Sequence, residues 1–206
     1  FLFTTAHPPG VAAACLAACL QARGADAPKP DAVVFRDKGG KEVTKVGTLQ
    51  TETPESVQIK TATGVMDVPE KDLISVSHGD APGEFQQAED ARQEGDCARA
   101  AELYQTALAA KNVRDWIQHD ARWGRADSLY RSGDLKGASA LLAEMGNGPA
   151  AKGRFIWMAK FRLAQCQIFQ KEYAAASVTL ASLKSPLGNW GDGIRELWEP
   201  RILEAQ

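Results

Sequence analysis

The residues able to ligate a metal or move a proton are spread thinly along this chain. Its three histidines, His7, His78 and His119, stand far apart, so no two offer paired imidazoles to one ion at short spacing. His119-Asp120 has the form of a base beside its orienter, yet a lone helical histidine next to an aspartate is ordinarily a solvated surface pair. Four cysteines occur. Cys15 and Cys19 fall in one apolar run, while the isolated Cys97 and Cys166 read as small buried hydrophobes, not as a disulfide framework or a zinc pair. Residues 146–153 (GNGPAAKG) have the outline of a phosphate loop, but they lack a glycine before Lys152, a hydroxyl after it and a preceding strand. Residues 188–193 (GNWGDG) miss the dinucleotide fingerprint, and no Gly-x-Ser-x-Gly elbow occurs. The reading is therefore of a protein with no catalytic residues, no metal and no cofactor.

Val11 to Leu20 (VAAACLAACL) is a run of ten small or apolar residues, half of what a membrane-crossing helix needs. It suits the apolar core of a secretory signal, with Ala22-Arg23-Gly24 as the small-x-small cleavage pattern. Leu16-Ala17-Ala18-Cys19 resembles the bacterial lipobox, which implies lipid attachment at Cys19 as an alternative to simple cleavage. An ordinary Ala-rich helix is the third reading. Export to the periplasm or cell envelope is the expectation, with membrane association only through a lipid at Cys19. Phe1 stands where a methionine would begin a chain, and Arg201 to Gln206 still read as helix, so the chain is expected to continue at both ends.

The elements that would position any site fall into two kinds. The formal net charge is -2, which gives no cause to expect nucleic acid as a partner. β-Branched residues crowd positions 33 to 76, whereas alanine dominates from residue 88 onward. Val33-Val34-Phe35 stops at the Asp37-Lys38-Gly39-Gly40 turn, and a second segment runs from Val43 to Thr53. Val57, Ile59 and Thr61 alternate with polar residues, Val65 to Val68 follows a turn at 62–64, and Leu73 to Val76 closes the set after a tight helical turn at 69–72. Spacing of this kind resembles the SH3-like or Sm-like barrels of exported bacterial proteins, which implies an adaptor.

Residues 84 to 184 repeat every 38 residues. Ala88, Ala126 and Ala164 form one column; Ala100, Ala138 and Ala176 form another. Gly95-Asp96, Gly133-Asp134 and Lys171-Glu172 fall between them, followed by Cys97, Leu135 and Tyr173, and later by Tyr104, Leu142 and Leu180. Small residues let two helices approach, Gly ends the first helix and Asp caps the second. Residues 101–108 (AELYQTAL) and 128–142 (SLYRSGDLKGASALL) resemble the tetratricopeptide repeat family, although that family's usual period is about 34 and its bulky first-helix residues are replaced here by Glu84, Arg122 and Lys160. The predicted fold class is α+β multidomain: a small all-β barrel-like module followed by an all-α superhelix of antiparallel helix hairpins. The predicted boundaries are a signal-like segment at 1–24, a linker at 25–30, the β module at 31–78, three hairpins at 84–184, and the start of a fourth unit or cap at 185–206, with Trp190 and Trp198 covering its end.

In the resembled family the concave face is lined by the first helix of each unit. That implies a partner groove built from Phe85, Glu89 and Arg92, then Trp123, Asp127, Tyr130 and Arg131, then Phe161, Gln165, Ile168 and Phe169. Rings interleaved with charges suit a peptide or helix ligand, although packing between units is the competing role for each ring. The expected function is a non-catalytic scaffold of the cell envelope that binds a protein or peptide. A cell-wall polymer receptor in the β unit, or a regulatory fragment of a longer enzyme, are the alternatives.

Overall fold

The computed structural model describes residues 29–147 and 153–183, together with Trp198 and Ile202. The signal-like segment, Cys19, most of the linker, residues 148–152 of the glycine-rich loop, residues 188–193 and Trp190 lie outside the described residues.

Five strands form first: β1 (Asp31–Arg36), β2 (Glu42–Glu52), β3 (Ser56–Thr61), β4 (Gly64–Pro69) and β5 (Leu73–Ser77), with a 3-10 turn at Glu70–Asp72 before the last. All pairings are antiparallel, in the order β4-β3-β2-β1-β5. The hairpin between β1 and β2 is held by Asp37, whose Oδ1 accepts from the Gly39 and Lys41 amides, and Gly40 supplies the positive φ of 78° that the turn requires. The long β2 serves two partners: its first half pairs with β1, its second with β3, with a register shift between Leu49 and Thr51. Alternation places Val33, Leu49, Val57, Ile59 and Val68 on one buried face, where Phe35, Met66, Leu73 and Val76 pack against them.

Six helices follow: α1 (Gly83–Glu94), α2 (Cys97–Ala109), α3 (Asp115–Ser132), α4 (Leu135–Asn147), α5 (Ile156–Phe169) and α6 (Tyr173–Ala181). Each packs on its chain neighbours, and the first helices of successive pairs, α1, α3 and α5, also touch in sequence. Ala88, Ala100, Ala126, Ala138, Ala164 and Ala176 are all fully buried, which lets the paired backbones come close. Gly95 and Gly133 end α1 and α3 in the left-handed conformation, at φ of 86° and 90°. Asp96 and Asp134 then accept from the amides of Arg99 and Gly137 at 3.2 and 2.9 Å, each three residues into the next helix. In the third pair Lys171 takes the same left-handed role at φ 64°, without glycine's freedom. Trp198 meets Phe161 edge to face and packs with the buried Ile202 against Ala164, Ala176 and Leu180.

The predicted fold class needs correction. In place of a multidomain chain with a barrel-like module and a superhelix, a five-stranded antiparallel sheet is followed by six helices. The sheet is open, with β4 and β5 as its two edges and no ladder between them, and sheet and helices make one α+β arrangement. The physical reason lies in charge. Asp31 in β1, Glu52 at the end of β2 and His78 after β5 are buried, and their counter-ions Arg114, Arg154 and Asp120 come from the helical half. The β unit is electrostatically complete only against those residues.

Candidate functional site

Where the sheet meets the helices there is a cleft of about 490 Å³, a size suited to ligand binding. One wall is β5, which contributes four consecutive residues, Ile74 to Ser77, with His78 just beyond it. Successive side chains of a strand point to opposite faces, so a cavity that touches four in a row runs along the strand's edge. That edge is open among the described residues, because β1 is the sole ladder partner of β5. The other wall carries Phe85, Glu89 and Arg92 of α1 and Trp123 of α3. Arg154 and Phe155 close one end; Phe155 stacks on Trp123 at 5.3 Å and lies under the Arg154 guanidinium at 4.2 Å. The cleft therefore offers aromatic area, backbone edge and charge within one concavity.

Four of the sequence-predicted groove residues, Phe85, Glu89, Arg92 and Trp123, line this cleft. Glu89 and Arg92 are held in place by Tyr104 of α2. The Tyr104 hydroxyl donates to Glu89, Arg92 Nε donates to that hydroxyl at 3.2 Å, and Arg92 Nη2 reaches Glu89 at 2.6 Å. Burial, then the Glu89 hydrogen bond and charge, push the Tyr104 hydroxyl well above the ordinary tyrosine range, so it stays a donor.

The remaining predicted residues do a different job. Asp127 is buried, accepts from Arg162 of α5 at 2.8 Å, and pairs with Arg131 at 2.8 Å. Arg162 also covers the Tyr130 ring at 4.4 Å and donates to Gln165 at 3.0 Å. Tyr130 leans on Phe169, Phe161 meets Trp198, and Ile168 packs with the cluster around Leu180. These contacts join α3 to α5 and α5 to the chain end. Of the predicted groove, the α1 residues and Trp123 of α3 open onto the cleft.

Sequence spacing missed the charged group at the cleft floor. Asp120, expected in a solvated surface pair with His119, is instead buried, and His78, forty-two positions away, places its Nε2 3.2 Å from Asp120 Oδ2. The same nitrogen is 3.5 Å from Glu52 Oε1. Arg154 completes the group, its Nη2 donating to Asp120 at 3.0 Å and its Nε lying 3.4 Å from Glu52. Burial, helped by the charge of Asp120, pushes the Glu52 carboxyl up to about 7. Burial also acts upward on Asp120, but Arg154 and His78 outweigh it and hold that carboxyl below its ordinary value. Among the described residues, Glu52, His78 and Asp120 could hold a metal ion, their donor atoms lying within 4.8 Å of one another. No helix among the described residues is long and apolar enough to cross a membrane. No protein-family model matches the chain, and no curated protein matches it.

Proposed function

We propose that this chain is a non-catalytic adaptor, of tetratricopeptide-like kind, that captures an extended peptide segment of a partner protein in the cleft between β5 and the helices. The supporting observation is the open edge of β5 running along a cavity walled by Phe85 and Trp123. An extended peptide gains main-chain hydrogen bonds by adding to such an edge, and its alternate side chains find the rings opposite. The Glu89–Arg92–Tyr104 network keeps the α1 wall rigid, which limits the ordering that binding costs. The apolar run at residues 11–20 extends the proposal to a role in the cell envelope.

The test is selection from a phage-displayed library of unstructured peptides, followed by affinity measurement on the enriched sequences. Trp123→Ala should weaken them about tenfold, as loss of a central aromatic anchor does. Methylating alternate backbone nitrogens of the peptide should abolish binding in one phase of the alternation and spare it in the other. Enriched peptides that bind equally to Trp123→Ala, or that ignore backbone methylation, would refute strand addition at this cleft.

A further inference from the structure

We propose that Glu52, His78 and Asp120 form a binding site for a divalent first-row cation, with zinc as the best-matched ion. The three residues arrive from three elements: the end of β2, the turn after β5 and the middle of α3. His78 Nε2 stands 3.2 Å from Asp120 Oδ2 and 3.5 Å from Glu52 Oε1. Around an ion with bonds of about 2.0–2.2 Å, neighbouring ligand atoms lie roughly 3 to 3.5 Å apart, which both histidine–carboxylate separations match, and the three donor atoms all lie within 4.8 Å of one another. One imidazole and two carboxylates are a donor set that suits zinc better than calcium or magnesium.

The buried polar atoms support a cation at this position. Glu52 is 4% exposed, yet its Oε1 accepts no hydrogen bond, and Asp120 Oδ1, in a residue 7% exposed, is likewise unpartnered. Buried carboxylate oxygens are normally satisfied. Arg154 reaches Glu52 through Oε2, which leaves Oε1 beside His78 for an ion, and on Asp120 it shares Oδ2 with His78 while Oδ1 stays unpartnered. It thereby acts as a positioning residue for both carboxylates. His78 and Asp120 also line the cleft, which supplies the entry path.

The site stands independently of peptide capture and is tested with the metal alone. Zinc titrated calorimetrically into the chelator-treated full chain should bind at one equivalent, and Cys97→Ser should leave that uptake unchanged. His78→Gln and Asp120→Asn should each weaken binding about tenfold or more. The imidazole nitrogen resonances of His78, followed in the unaltered protein, should shift in step with the first equivalent, a readout that survives even if a variant folds poorly. Zinc uptake undiminished in His78→Gln, a His78 signal that ignores zinc, or no uptake near one equivalent would each overturn the proposal.

Discussion

Gly124 shows how one residue sets the packing behind the cleft. A Cβ built there would fall 2.3 Å from the Tyr104 ring, which is fully buried and has no room to retreat. Gly124→Ala is therefore expected to cost about 1–3 kcal/mol, measured by chemical denaturation, because the ring must leave its rotamer or push α2 from α3. Tyr104→Phe keeps the ring and should cost only about 1 kcal/mol, while releasing Glu89 and Arg92. Tyr104 was visible in the sequence as a repeat column beside Ala100, and its burial follows from that column. Its hydroxyl was not visible as the anchor of two groove residues, since such a bond depends on where α1 lies across α2. Distance along the chain hid Glu52, His78 and Asp120 for the same reason. They are separated in sequence by three strands and two helices, and only the docking of the sheet brings them together.

The helix pairs were the most legible elements because the same signals recur three times. Small residues at fixed offsets, a Gly-Asp stop and cap, and a filling Leu or Tyr each need only local geometry. The third pair departs from this pattern at Lys171 and Glu172. Lys171 holds φ 64°, and Glu172 makes no side-chain cap hydrogen bond, whereas Asp96 and Asp134 do. Lys171→Gly should thus raise stability by roughly 0.5–1 kcal/mol, the relief of left-handed strain exceeding the extra chain entropy of glycine. Asp96→Ala should lower it by about 1 kcal/mol through the exposed first turn of α2. Thermal melts of the two single variants would move in opposite directions; a Lys171→Gly melt that fell would show that the backbone there is not strained. The strands were legible from their alternation, but their order was not, because β5 reaches the far side of β1 across the whole sheet.

At the scale of the molecule, Asp31 decides whether sheet and helices unfold together. Its carboxylate accepts from the Leu49 amide at 2.8 Å and the Gly79 amide at 3.0 Å, and it takes both terminal nitrogens of Arg114, at 3.0 and 2.5 Å, just before α3. Burial acts to raise this carboxyl, but Arg114 and the two amides prevail and hold it below its ordinary value. A carboxyl depressed in the folded state stabilises the fold above its unfolded pKa of about 3.9, and that contribution disappears as the pH falls through the lower folded value. Asp31→Asn should accordingly cost about 2–4 kcal/mol at pH 7, with the gap to the unaltered protein closing below about pH 4. All five tryptophans lie at or beyond Trp116, downstream of every strand, so their fluorescence follows the part of the chain beyond the sheet. If the two halves form one cooperative unit, replacing Asp31 in β1 shifts the tryptophan denaturation midpoint as far as it shifts the sheet's own signal. A tryptophan transition left where it was, with the sheet melting earlier, would mean that the ionic seam is a contact between independent units and that the cleft it frames opens without unfolding.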